Sequence, residues 1–263
     1  MDMNCPCDEA KCDCCIKVNG ACVQFGNELV LDEVTFSVRP GVLTGVVGPN
    51  GGGKTTLFNA LVGLQSIAHG EILINDQSPT HRNGSLSYVP QREQVNWRFP
   101  LSVLDVAKLG LIGKGFSWRN FWFTNDPLIE LSLRKVGMWE RREELVANLS
   151  GGQRQRTFIA RALVQEADIL ILDEAFSGVD FASQEGVLDV LKELRDEGKT
   201  ILVATHDLNT LSDRFDEVLC INGHVCAHGQ PQQVFTKEVL TELYGPHADM
   251  FTGHQADGHH HAA

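Results

Sequence analysis

The segment Gly48-Pro49-Asn50-Gly51-Gly52-Gly53-Lys54-Thr55-Thr56 constrains this chain more than any other. So many glycines in a row weaken both helix and strand, and mark a stretch of backbone that must turn sharply. The apolar run Val42 to Val47 precedes them. From Lys54 to Leu64 the chain reads as a helix with Leu57, Leu61 and Leu64 on one face. A buried strand therefore runs into a glycine loop that opens a helix. Such a loop can curl until its N–H groups converge, and the helix start adds partial positive charge. Both features suit a phosphate.

The same residues fit the pattern Gly, four residues, Gly-Lys-Ser/Thr. In that pattern Lys54 reaches the terminal phosphates of a nucleotide, and the Thr55 hydroxyl can ligate Mg²⁺. A second element lies downstream, where the apolar run Ile169 to Leu172 ends in Asp173-Glu174. Acids at the carboxyl end of a buried parallel strand emerge where open α/β sheets bind ligands. Asp173 suits Mg²⁺ held through water, and Glu174 suits polarising an attacking water.

Further strands are expected at Lys17 to Phe25, Val34 to Val38, Glu71 to Ile74, Ser85 to Val89, Thr200 to Ala204 and Glu217 to Ile221. Helices are expected at Arg154 to Gln165 and Val187 to Arg195. This alternation implies an α/β domain with a mainly parallel sheet. From Arg92 to Leu145 aromatics are frequent and helical patterns replace strands, which points to an inserted helical subdomain, about 92–155. The main domain is expected to span 16–245, between a Cys-rich tail, 1–15, and a His-rich tail, 246–263.

No apolar run approaches the roughly 18 residues that cross a bilayer, and the start of the chain has no secretory pattern. A cytoplasmic protein is expected, with any membrane role exercised through a partner. A net charge of −12 argues against nucleic acid as a partner. Six of the eight cysteines fall in the first 22 residues, and Cys12 to Cys15 form a C-x-x-C. Thiolates and imidazoles suit zinc better than manganese. Either tail is a candidate metal sensor; the alternative is a plain solvated tail.

Leu149-Ser150-Gly151-Gly152-Gln153, just before a helix, resembles the signature motif of ABC ATPases. The resemblance runs from about residue 17 to 245, with the motifs in the family's order. Gln91 after Tyr88-Val89-Pro90 resembles the Q-loop glutamine. Ser177-Gly178-Val179-Asp180 resembles the D-loop, and Thr205-His206-Asp207 the switch histidine segment. Phe25 sits where the family places an aromatic that stacks on adenine, commonly Tyr. Ala175 stands where Pro is common. The resemblance implies a P-loop NTPase (RecA-like) core, an N-terminal antiparallel β subdomain and the helical insertion. It also implies ATP and Mg²⁺ as ligands and a head-to-tail homodimer. Ser150, Gly151, Gly152 and Gln153 would then face the γ-phosphate bound by the other copy. Glu174 would be the catalytic base, His206 a γ-phosphate contact, Gln91 a sensor of Mg²⁺ and water, and Asp180 a coupler across the interface.

The stretch Trp97-Arg98-Phe99-Pro100 after Gln91 resembles ATPases of manganese/zinc/iron importers. That class implies a separate integral-membrane permease, an extracytoplasmic metal-binding protein, and a peripheral position on the cytoplasmic membrane face. Two other readings stay open: an ATPase for another transported substrate, and a soluble non-transport member of the family.

Overall fold

A computed structural model describes residues 14–79, 85–91, 100–114, 126–174, 176, 181–205 and 214–245. The strands are β1 (Ile16–Phe25), β2 (Glu28–Val38), β3 (Leu43–Val47), β4 (His69–Ile74), β5 (Leu86–Val89), β6 (Ile169–Leu172), β7 (Thr200–Thr205), β8 (Glu217–Ile221) and β9 (Val225–Gly229). The α-helices are α1 (Lys54–Leu61), α2 (Val103–Lys108), α3 (Pro127–Lys135), α4 (Gly151–Val164), α5 (Phe181–Asp196), α6 (Pro231–Val234) and α7 (Lys237–Tyr244).

They form two sheets. β2-β1-β4 is antiparallel, and β5-β6-β7-β3-β8-β9 is parallel except for β9. The larger sheet is apolar on both faces, which is why its strands read as unbroken hydrophobic runs. Ile169 and Ile171 of β6 join the core shared with α1 and the antiparallel sheet. Leu170 and Leu172 join the core shared with the helices. The same alternation holds in β7, where Leu202 and Ala204 face one core and Ile201 and Val203 the other.

The helical segment is inserted between β5 and β6, which are neighbours in the sheet. α2 and α3 pack on α4, and two long side chains sew α4 to β5. The Arg161 guanidinium donates to the Tyr88 carbonyl, and Gln165 Nε2 donates to Leu86 O at 2.9 Å. Burial pushes the Arg161 pKa down to about 10.

Several elements and their ends differ from the sequence reading. α1 stops at Leu61 because Gly63, at φ 68°, turns the chain and donates to Ala60 O at 3.0 Å; Leu64 is then exposed. The folded body begins before residue 16, since Cys14 and Cys15 are buried. β9, α6 and α7 extend the fold beyond β8. Leu170, 1% exposed, sits where β6 meets the helical layer. Leu170→Ala should cost about 2–5 kcal/mol, read as a lower urea midpoint with an unchanged slope.

Candidate functional site

β3 leads straight into the glycine loop. A Cβ on Gly48 would stand 1.9 Å from the Ile221 carbonyl oxygen, so only glycine lets the chain leave the sheet beside β8. Gly51 and Gly53 take φ values of 80° and 92°, in the region that favours glycine. Gly53 caps α1 with no side-chain bond, and the first turn carries no acidic residue. The early N–H groups of α1 are left without a side-chain acceptor, and the local field favours an anion.

The loop rests on a backbone scaffold. Gly52 N–H donates to Pro49 O at 3.0 Å, and Gly52 O accepts from Gly223 N–H at 2.9 Å. Gly223 O in turn accepts from Asp32 N–H at 2.8 Å. The β8–β9 turn thus links the loop to β2. The Lys54 ammonium is buried and donates to Gly48 O at 2.8 Å and Pro49 O at 2.9 Å. Burial lowers its pKa, while the nearby Glu174 and Asp173 charges work to raise it.

Two further strand ends complete the cluster. Asp173 follows β6 and is 1% exposed; its N–H donates to Val89 O at 2.9 Å. Burial raises its carboxyl pKa, against the Thr55 and Tyr88 hydroxyls, which favour the charge; Glu174 adds to the rise and Lys54 opposes it. The Tyr88 hydroxyl donates to Oδ2 at 3.3 Å, and Oδ1 is buried with no hydrogen-bond partner of good geometry. Glu174 has φ 49°, unusual for a residue with a side chain. Its Oε2 accepts from Gln91 Nε2 at 2.6 Å. That bond leaves the Gln91 amide oxygen as an acceptor. The Thr55 hydroxyl, the orphaned Asp173 oxygen and the Gln91 oxygen form a set of hard donors that fits Mg²⁺.

The ends of β3, β5 and β6 thus bring Lys54, Thr55, Gln91, Asp173 and Glu174 together. Other expected residues stand elsewhere. Ser150 is exposed at the start of α4 in the helical layer, where it forms a reciprocal cap with Gln153: Ser150 N–H donates to Gln153 Oε1 at 3.0 Å, and Gln153 N–H to Ser150 Oγ at 3.4 Å. Phe25 is 50% exposed at the end of β1, with its ring open to a stacking partner. Trp97, Phe99, Ala175, Asp180 and His206 lie outside the described residues.

The Cys-rich tail needs correcting at its inner end. Cys15 is held in the fold: its thiol donates to Thr200 Oγ1 at 3.5 Å and its N–H to Val38 O at 3.0 Å. Burial raises its pKa. A C-x-x-C chelate would have to pull this thiol out of the core. Tyr88 was missed as a site residue. Its only sequence signal is its place three residues before Gln91.

The sequence pattern of the ABC transporter family matches residues 31–177. The manganese transport system ATP-binding protein MntA of Synechocystis sp. is 41% identical over 233 residues, covering 88% of this chain and 90% of that protein. The zinc transport system ATP-binding protein TroB of Treponema pallidum is 38% identical over 231 residues, covering 88% and 86%. Among solved structures, cbiO1 of Clostridium perfringens, part of the ABC transporter complex cbiONQ, superposes with a TM-score of 0.73. It is 26% identical and covers 91% of this chain and 99% of that one.

Because the folded-state pKa of Asp173 is raised, the folded chain loses stability as pH climbs from the unfolded value through the raised one. Asp173→Asn removes that cost. The variant should melt higher than the parent near neutral pH, with the gap closing toward about pH 4, and should hydrolyse ATP far more slowly.

Proposed function

We propose that this chain, which belongs to the ABC transporter family, energises the import of a divalent metal ion through a separate membrane permease. The ion is manganese, zinc or iron. The chain binds and hydrolyses ATP. The observation that carries the catalytic part is the meeting of the glycine loop with Gln91 and Glu174, joined at 2.6 Å beside the buried Asp173.

ATP enters with its phosphates against the loop N–H groups and the start of α1. Lys54 exchanges the Gly48 and Pro49 carbonyls for phosphate oxygens, so its charge gains an anionic partner without leaving its burial. The Phe25 ring supplies a stacking face for adenine. Glu174 orients and deprotonates the attacking water, and Gln91 fixes its carboxylate. Mg²⁺, held by Thr55, Asp173 and Gln91, would neutralise charge on the phosphate oxygens. His206 adds a γ-phosphate contact.

Two copies face each other head to tail. Ser150, Gly151, Gly152 and Gln153 of one copy cover the γ-phosphate held by the other, with the Gly151 and Gly152 N–H groups at the start of α4 facing that anion. Asp180 couples the two sites. Gln91 begins the segment that leads to the permease, so its bond to Glu174 ties chemistry to transport.

The metal reading is supported by relatives named for manganese and zinc transport and by Trp97-Arg98-Phe99-Pro100. Among the described residues no helix is long and apolar enough to cross a membrane. The permease supplies the crossing, an extracytoplasmic metal-binding protein delivers the ion, and this chain docks on the cytoplasmic face. The test is uptake of manganese, zinc and iron in a deletion strain complemented with wild type or Glu174→Gln. Wild type should restore uptake of at least one ion. The variant should restore none, and when purified should bind ATP normally with hydrolysis reduced at least a hundredfold. Wild-type turnover in Glu174→Gln would remove the assigned base, and unchanged uptake of all three ions would remove the metal.

A further inference from the structure

The β8–β9 turn that braces the phosphate loop carries a second group of chemistry-bearing side chains. His224 follows Gly223 directly, Cys226 lies in β9, and Glu242 lies in α7. His224 Nε2 stands 2.8 Å from Glu242 Oε1 and 3.9 Å from Cys226 Sγ. All three ligand atoms lie within 4.8 Å of one another. His224 and Glu242 are about half exposed and Cys226 is partly buried, so an ion can reach the cluster from solvent.

These separations are close to those of a tetrahedral zinc centre. With Zn–N and Zn–O near 2.0 Å and Zn–S near 2.3 Å, neighbouring ligands lie about 3.3 Å apart for N and O and about 3.5 Å for N and S. The imidazole and carboxylate need to part by about half an ångström, and the thiol to approach by slightly less. Both movements are within the reach of exposed side chains. The scaffold beneath is fixed: Asn222 Nδ2 donates to Glu242 O at 3.4 Å, tying α7 to the turn.

We propose that His224, Cys226 and Glu242 form a Zn²⁺ site, with water in the fourth position. One imidazole, one thiolate and one carboxylate suit zinc and disfavour Mn²⁺ and Mg²⁺, which prefer oxygen. The electrostatics agree. Beside the His224 ring the cluster holds a carboxylate and a thiol, both of which a divalent ion suits. A divalent ion supplies the positive charge that this pocket lacks and takes the place of the thiol proton. Gly223, next to His224, is the residue that bonds Gly52. A bound ion therefore fastens α7 to the turn on which the phosphate loop rests. The site stands whether or not zinc is the transported ion.

The test is a calorimetric Zn²⁺ titration of the full chain under reducing conditions, compared with Cys226→Ser and His224→Gln. Each variant should lose one equivalent relative to wild type, while any equivalents held by cysteines before Cys14 or histidines after Tyr244 stay in all three proteins. In a Co²⁺ titration, part of the thiolate-to-metal absorption should vanish in Cys226→Ser. Thermal melting in a chelator checks that both variants fold. If the serine variant does not, the half-exposed His224→Gln carries the comparison alone. The same stoichiometry and affinity in wild type and in every folded variant would overturn the site.

Discussion

The close approach of Gly48 to the Ile221 carbonyl is the contact on which the rest of the site depends. A side chain there would overlap backbone, with a Cβ at 1.9 Å, and the overlap could be relieved only by moving β8 or lifting the loop. With glycine, β3 ends flush against β8 and the chain turns at once into α1. The turn beyond β8 then reaches back to hold Gly52, and through Gly223 the loop is joined to β2. A few backbone hydrogen bonds thus fix the phosphate loop to both sheets. Their rigidity matters because donors aimed at an anion help most when they need no rearrangement to meet it.

Charge in the site is held in an unfavourable state. Asp173 is buried with one oxygen unmatched, and Lys54 is buried with its hydrogen bonds spent on its own loop carbonyls, the carboxylates of Asp173 and Glu174 only partly offsetting its burial. Each cost is relieved by a component of a magnesium nucleotide: the cation for the carboxylate, the phosphates for the ammonium. The bond between Gln91 and Glu174 belongs to the same arrangement, since it restrains a carboxylate that stands on a backbone with φ 49°. A fold optimised only for stability would have no use for such a cluster, and such tension is common at functional sites.

Much of this was legible in the sequence because local rules and burial agreed. The runs Val42 to Val47 and Ile169 to Leu172 are apolar on both faces, so they read as buried parallel strands, and the glycines and acids after them mark where the strands end. Other parts depend on distant partners and leave no local trace. β9, with a single buried residue, Val225, has no long apolar run, and it exists because β8 offers an edge. Tyr88 looks like any strand tyrosine until β6 brings Asp173 beside it. Arg161 sits on a helix where an arginine is ordinary, yet its guanidinium reaches across to the Tyr88 carbonyl of β5. Cys15 reads as part of a polar tail, and it is drawn into the core by pairing with β2 and Thr200.

In the proposed arrangement the glycine loop is half a site, completed by Ser150 to Gln153 of a second copy. Complementation between two inactive variants tests this most directly. Lys54→Ala disables the loop that holds phosphate, and Ser150→Arg blocks the segment that covers it. In a mixed pair, one of the two sites joins an intact Lys54 from one chain with an intact Ser150 from the other. ATP hydrolysis should return on mixing, with a maximum near equal proportions. A mixture as inactive as its two folded parents at every ratio would contradict the shared site.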